Sequence, residues 1–405
     1  MYRLRDYCIS STDILSRSGY YTCVLKLTAQ VKLVVTAEQA DALKKTMAEA
    51  NACCNRLSAW AWENQTFGQY ALHKARYAVE RAASGLTAQV VVRCNGKVAD
   101  AYKKVADAYK KVADAYKLDK KTQRVFRPDG AIAYDDRILR WYIERGQVSI
   151  WAVGGRLALP FVCGDYQRGL LAFQQGESDL ACHDGNFYLL TTCNLPDPPL
   201  VETDGVLGVD LGIVNLATDS AGRSYSGASV KSCRRRAKRI RALLQSRGTK
   251  NARKHLRRIR RRTANYQRHV NHCISKHLVQ NALLSRKALA LEDLSGIRER
   301  APAFSRDMKC MKWQMGNWAF NQLGQFVVYK AKMAGLPVTL VDPRNTSRTC
   351  SACGHCEKAN RKSQSQFLCL RCGFQANADA NASANIARKA LEARAAVNGP
   401  IDALA

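Results

Sequence analysis

The chain has 405 residues, 47% hydrophobic and 24% charged, values that exclude wholesale disorder and leave room for two or three domains. Its net charge of +31 points to a polyanionic partner, of which nucleic acid is the commonest. The most apolar long stretch, residues 148–164, holds Arg156, two adjacent glycines and Pro160, so no membrane span is expected. The opening Met1-Tyr-Arg-Leu-Arg-Asp carries no export signal, which makes a cytoplasmic protein with reduced thiols the expectation for its sixteen cysteines.

Residues 20–35 have strand composition with partial alternation. Thr36 followed by Gln39 reads as a capping box opening a helix, which Leu43, Met47, Ala50, Cys54 and Leu57 continue at helical spacing toward Trp60. More helix follows through 70–83 and beyond Leu86. A unit of seven residues, Val-Ala-Asp-Ala-Tyr-Lys-Lys, then occurs at 98–104 and 105–111 and, short of its last lysine, at 112–117, with Asp100 to Lys104 and Asp107 to Lys111 as favourable i,i+4 pairs. The spacing predicts a straight helix from about Lys97 to Leu118. It fits a surface helix lengthened by whole heptads, with its apolar stripe kept in phase, better than a lysine-studded rod touching phosphates.

From Ala131 to Cys193 the texture turns to β. Short runs such as Gln147–Trp151, Arg156–Phe161 and Asn186–Thr192 are separated by glycine-rich turns, the pattern of a small barrel or sandwich. Since residues 20–35 also read as strand, one barrel interrupted by a helical insertion is expected. Asn194–Pro199 reads as a linker.

The apolar strand Val206-Leu-Gly-Val-Asp210 ends in an acid, and the chain turns at Gly212 and returns through Asp219 and Gly222 like a hairpin. A half-buried carboxylate is costly without a cation or donors. A second apolar strand, Lys287-Ala-Leu-Ala-Leu-Glu292-Asp293, ends in acids too; strand alternation sends the two to opposite faces, and Glu292 is the one expected to meet Asp210. Asp379 lies near the start of an alanine-rich helix. Each acid alone has a bland reading, as turn cap or helix-dipole partner. Together, three acids from two strands and one helix suit Mg²⁺, which takes oxygen ligands; two such ions serve phosphodiester hydrolysis. The order hairpin, helix, strand, helix, strand (Leu336–Val341), helix fits an RNase H-type core.

Between Asp219 and Glu292 there is no acidic residue, and 15 of the 29 residues from Arg234 to Arg262 are Lys or Arg. Interleaved Ile240, Leu243, Leu244, Leu256 and Ile259 make this a pair of basic helices. Arg234, Arg235, Arg236, Arg239, Arg253, Arg257, Arg258, Arg261 and Arg262 are the nucleic-acid-binding candidates. Cys350-Ser-Ala-Cys353 and Cys369-Leu-Arg-Cys372, each followed by Gly, are two knuckles spaced as in a Zn(Cys)₄ ribbon. Cys356 forms an overlapping pair with Cys353, but matched Gly354 and Gly373 favour the four-cysteine set without it.

Gly208-Val-Asp210-Leu-Gly212, Leu289-Ala-Leu-Glu292-Asp293-Leu, Thr346-Ser-Arg-Thr-Cys350-Ser-Ala-Cys353-Gly-His, Phe367-Leu-Cys369-Leu-Arg-Cys372-Gly373 and Asp379-Ala-Asn381-Ala-Ser-Ala-Asn385-Ile386 resemble the TnpB family. Its members are transposon-encoded RNA-guided DNA nucleases related to compact type V CRISPR effectors. The likeness is specific over 205–395 and weaker before it; the tripled heptad departs from the family. It implies a multidomain α/β protein with a RuvC-like nuclease domain (201–344 and 376–405) split by a zinc ribbon (345–375). An N-terminal wedge barrel (1–35 and 122–200) would carry a helical recognition insertion (36–121). It further implies an endonuclease with Asp210, Glu292 and Asp379 as catalytic ligands of two Mg²⁺ ions. One structural Zn²⁺ would sit on Cys350, Cys353, Cys369 and Cys372. Guide RNA would choose a double-stranded DNA target beside a short protein-read motif, the protein acting as monomer or dimer. The alternative is a non-cleaving zinc-ribbon repressor or transposition regulator.

Overall fold

A computed structural model describes residues 25–111, 122–294, 320–363 and 365–398. The chain divides into two compact units, Met1–Pro196 and Asp197–Ala405. No helix among the described residues is long and apolar enough to cross a membrane.

In the first unit, strand β1 (Leu25–Leu33) alternates buried and exposed along its whole length, as a half-buried strand must. It leads into α1 (Ala37–Glu63), where Gln39 N donates to Thr36 Oγ1 and Thr36 N to Gln39 Oε1, the reciprocal box read from the sequence. Helices α2 (Gln69–Ala83) and α3 (Ala88–Lys111) follow. The helix of the heptad repeat thus begins nine residues earlier than its spacing predicts, because Val91, Cys94, Val98 and Tyr102 form one buried stripe that runs into the repeat. The expected continuation to Leu118 lies outside the described residues. Glu80, fully buried, draws α1 and α2 together by accepting from Arg56 Nε at 2.8 Å and Arg76 Nη2 at 2.9 Å, the pairing a buried carboxylate requires.

Six further strands, β2 (Ile132–Tyr134), β3 (Leu139–Tyr142), β4 (Gln147–Ala152), β5 (Gly155–Val162), β6 (Gln174–His183) and β7 (Asn186–Leu195), join β1 in one antiparallel sheet of order β2-β6-β7-β1-β5-β4-β3. β1, first in sequence, is held centrally between β7 and β5, so the three helices interrupt a single sheet. Trp141 Nε1 on β3 donates to Ser178 Oγ on β6 at 3.4 Å, a contact between opposite ends of the strand order. A short helix, α4 (Asp165–Leu171), stands in the region read as purely β, anchored by buried Leu170 and Leu171.

The second unit holds a five-stranded sheet of order β10-β9-β8-β11-β12, built from β8 (Gly205–Asp210), β9 (Asn215–Asp219), β10 (Ser224–Ser226), β11 (Lys287–Glu292) and β12 (Val338–Val341). β8 runs parallel to β11, and β11 to β12, while β9 and β10 are antiparallel. α5 (Ala228–Arg247) and α6 (Lys250–Leu284) connect β10 to β11, α7 (Phe320–Met333) precedes β12, and α8 (Ala378–Asn398) follows a two-stranded ribbon of β13 (Gln366–Leu368) and β14 (Gln375–Asn377). β8 and β11 are buried on both faces, which is why they read as apolar runs rather than alternating ones. On one face Leu207, Val209 and Leu289 pack with Leu278 of α6 and Val327 of α7. On the other, Val206, Ala288 and Ala290 pack with Ile386 and Ala390 of α8.

Candidate active site

Asp210 and Glu292 are the last residues of neighbouring parallel strands, where Leu291 is registered against Val209. Alternation puts both side chains on the face of Val206, Ala288 and Ala290, the face covered by α8. Asp379 is the second residue of α8. Asn377 Oδ1 accepts from the amides of Asp379, at 2.9 Å, and Ala380, at 3.3 Å, satisfying donors that open a helix. What lets α8 come so close is Gly208. A Cβ there would lie 2.1 Å from Ser383 O and 2.5 Å from Ala387 N, so the helix rests on bare strand backbone, two residues before Asp210. The structure therefore brings the three expected acids to one end of the sheet.

Their electrostatics are those of crowded like charge. Burial, then Glu292 and Asp379, push the Asp210 carboxyl up to about 7, against an opposing pull from Arg361. Burial also raises Glu292, opposed by a hydrogen bond from Thr346 and by Lys389 and Arg361. Thr346 Oγ1 donates to Glu292 Oε1 at 2.6 Å, Asn215 Nδ2 to Asp379 Oδ2 at 3.0 Å, and Arg361 Nη2 lies 3.7 Å from Asp379 Oδ1. An all-oxygen donor set that repels itself suits a hard divalent cation. Asn215, Thr346 and Arg361 escaped the sequence reading. Thr346 stands in a quoted motif without an assigned role, and Arg361 is one arginine among many. Asp219 is a different case: it is registered opposite Val209, hence on the α6 face, and its Oδ1 accepts from the amides of Ala221 and Arg223. It closes a turn.

The sulfurs of Cys350, Cys353, Cys369 and Cys372 lie within 4.8 Å of one another. Cys350 Sγ is 3.7 Å from Cys372 Sγ and Cys353 Sγ 3.6 Å from Cys369 Sγ. A tetrahedron with Zn–S bonds of about 2.3 Å has edges of roughly 3.8 Å, so the four fit zinc. Each knuckle closes identically: Gly354 N donates to Cys350 O, and Gly373 N to Cys369 O. Both glycines hold φ near +75°, a conformation that costs other residues. Cys356 is exposed and outside the cluster. Buried Asn360 ties the knuckles together, donating to Arg348 O and His355 O and accepting from Leu370 N. The ribbon is also bolted to α8: Asn381 Nδ2 donates to Thr349 O at 2.8 Å and its Oδ1 accepts from Ser351 N, while Asn385 Nδ2 reaches Thr346 O and Thr349 O. The same segment thus presents Thr346 to Glu292 and Arg361 to Asp379.

The basic candidates lie on α5 and α6, apart from the elements that bear the acids. Arg235, Arg236, Arg239, Arg253, Arg257, Arg258, Arg261 and Arg262 are exposed, whereas Arg234 is partly covered and burial lowers its pKa.

Two family models match the chain, one described as a probable transposase over residues 190–294 and one as a Cas12f1-like TNB domain over 320–386. The CRISPR-associated endodeoxyribonuclease Cas12f1 of Sulfoacidibacillus thermotolerans is 32% identical over 209 residues, 47% of either chain. TnpB-like protein MJ0751 of Methanocaldococcus jannaschii is 35% identical over 121 residues, 30% of this chain and 42% of its own. The putative RNA-guided DNA endonuclease InsQ of Escherichia coli K12 is 26% identical over 284 residues, 66% of this chain and 62% of its own. The chain spans about half the length of the curated relatives it matches. In fold it is similar to Cas12f1 in a complex with sgRNA and target DNA, with a TM-score of 0.59 at 14% identity over 87% of this chain and 83% of that one. CasPhi-2 bound to crRNA gives 0.56 at 11% identity over 90% and 98%. The family models and relatives bear out the resemblance to the TnpB family and its compact type V kin that the sequence motifs carry.

Proposed function

We propose that the protein is an RNA-guided DNA endonuclease that hydrolyses phosphodiester bonds at a RuvC-like, RNase H-type site. One observation carries the reading: Asp210, Glu292 and Asp379 converge at one end of the central sheet, with Glu292 and Asp379 both raising the Asp210 carboxyl. The proposed nuclease core comprises 201–344 and 376–405, the zinc ribbon 345–375, and the wedge-type barrel and recognition insertion the residues before them. Support comes from relatives named as endodeoxyribonuclease or RNA-guided endonuclease.

Two Mg²⁺ ions, when bound, would supply an activated water and neutralise charge on the leaving oxygen. Asp210, Glu292 and Asp379 would hold them, and Asp210 must lose its proton to do so. Thr346 fixes one Glu292 oxygen and leaves the other for a ligand. Asn215 likewise fixes one Asp379 oxygen, while the other faces Arg361. Arg361, a planar donor fork next to the acids, would meet phosphate oxygens of the scissile strand. Guide RNA would pair with the target, and the protein would read a short adjacent motif and backbone shape.

The test is an Asp210→Ala variant, purified with its co-purifying RNA, assayed with Mg²⁺ on a matched DNA duplex. Cleavage should vanish while guide-dependent binding stays. Retained cutting would remove Asp210 from the chemistry. Parent protein that binds a guided target without ever cutting would favour the repressor alternative.

A further inference from the structure

The α5–α6 hairpin has two unlike faces. Gly248, at φ +64°, and Thr249, which accepts from Ala252 N, reverse the chain between the helices. The seam between them is thin, marked by the half-buried Cys233, Ala237, Ile240 and Leu244 on α5 and by Leu256, Ile259 and Thr263 on α6, where of the seam positions only Ala252 is fully buried. With 100° of rotation per residue, every other position can be placed relative to that seam. Because the helices run antiparallel, rotation toward rising residue number leads to the same side on both.

On that side α5 carries Lys231, Arg234, Lys238 and Arg241, and α6 carries Lys250, Arg253, Arg257 and Arg260. Both ladders step by three, four and three residues, about 5 Å per step. They overlap where Arg241 and Lys238 stand level with Arg257 and Arg260. The result is one diagonal stripe of cations, roughly 25 Å long, from the hairpin tip on α6 to its base on α5. All but Arg234 are exposed. Neither helix holds an Asp or Glu, so no acid on the hairpin neutralises the stripe. The opposite face has fewer cations, five against eight (Arg236, Arg239, Arg247, Arg258 and Arg262), along with Leu243, 64% exposed, and Tyr266, 38% exposed.

We infer that the striped face docks a double-stranded stem of the bound RNA through its phosphates. Lys231, Lys238, Arg241, Lys250 and Arg260, absent from the candidates read from the sequence, belong to this surface. Strands held singly need aromatic platforms for their bases, and this face has none. Two packed helices, each about 10–12 Å across, are too wide for the roughly 12 Å major groove of B-DNA. Double-stranded RNA is gripped from outside by shape and phosphate contacts, which a base-blind cation track provides. The identity of the RNA as a guide rests on the proposed function; the docking surface itself does not.

The experiment uses the full chain freed of co-purified RNA, with a blunt RNA duplex of roughly 16 base pairs as probe, titrated across salt concentrations. Arg241→Ala/Arg253→Ala/Arg257→Ala should weaken binding by about tenfold or more and flatten the log–log salt slope by about 3, near one unit per lost contact. Arg236→Ala/Arg247→Ala/Arg262→Ala removes the same charge from the other face and should change the slope by less than about one unit. Arginine-to-alanine changes favour helix, and circular dichroism checks that both variants keep it. Equal losses for the two variants would reduce the stripe to bulk charge. Equal or tighter binding of a DNA duplex of the same sequence, or of either single strand, would overturn the assignment to duplex RNA. Because the readout is binding, it stands or falls separately from cleavage.

Discussion

Two clusters in the second unit gather anionic donors in opposite ways. The carboxylates at the ends of β8 and β11 are set by a sheet that packs helices on both faces, so the folded core forces like charges together. The cysteines sit on two short knuckles whose own apolar cluster is Cys350, Phe367, Cys369 and Ala378, with Phe374 against it. A segment that small cannot bury enough surface to fold by itself, and a zinc ion on the four cysteines would supply what is missing. The acid site is a product of folding; the cysteine site, with its metal, would be a condition for it. They meet because the knuckle segment also carries Thr346 and Arg361.

The contrast breaks first, and with the largest effect, at the zinc ligands. Cys369→Ser/Cys372→Ser should lose one equivalent of zinc by atomic absorption and open residues 345–375 to limited proteolysis. The five-stranded core should stay resistant. Mg²⁺-dependent cleavage should fall with it, since Thr346 and Arg361 lose their support. A ribbon that remains protease-resistant without zinc would show that it folds on its own.

Asp210→Asn sharpens the other side. With the folded carboxyl near 7 against an ordinary 3.8, the folded state keeps a proton that the unfolded chain gives up. Stability without Mg²⁺ is therefore full below about pH 4 and declines as pH rises toward 7. Replacing the acid should remove that decline and stabilise the Mg²⁺-free protein above pH 7 by up to roughly 4 kcal/mol. Thermal melts of both proteins between pH 4 and pH 8 read this directly; parallel curves would mean that the site carries no such tension.

Gly208→Ala probes the packing that creates the crowding. The new methyl would collide with α8 backbone, which cannot swing aside as a side chain can. A loss of about 3 kcal/mol is expected, with α8 displaced and cleavage reduced. An unchanged melting temperature would show that the helix has room to move.

Much of this was legible in residue order. Apolar runs ending in Asp210 and Glu292 mark strands buried on both faces, and paired Cys-x-x-Cys-Gly knuckles need no tertiary context. Thr36 and Gln39 announce α1 through purely local chemistry. What was not legible depends on distant partners. Arg361 becomes significant only when the ribbon folds back on α8, and Asn381 and Asn385 become fasteners only when Thr349 is beside them. Helix α4 was hidden because two leucines and a glycine cap look like any turn between strands. The two faces of α5–α6 were hidden because a charge count has no direction; the seam gives it one.

The position of α8 also bears on when the protein becomes competent during synthesis. All five strands of the central sheet are complete by Val341, yet Asp379 arrives only with α8, after the ribbon. A chain still emerging from the ribosome can assemble the sheet with two carboxylates in place and lack the third. Long-range closure of this kind is a late folding event. A nascent or prematurely terminated polypeptide would therefore be able to fold much of its core while remaining unable to assemble the full acid triad.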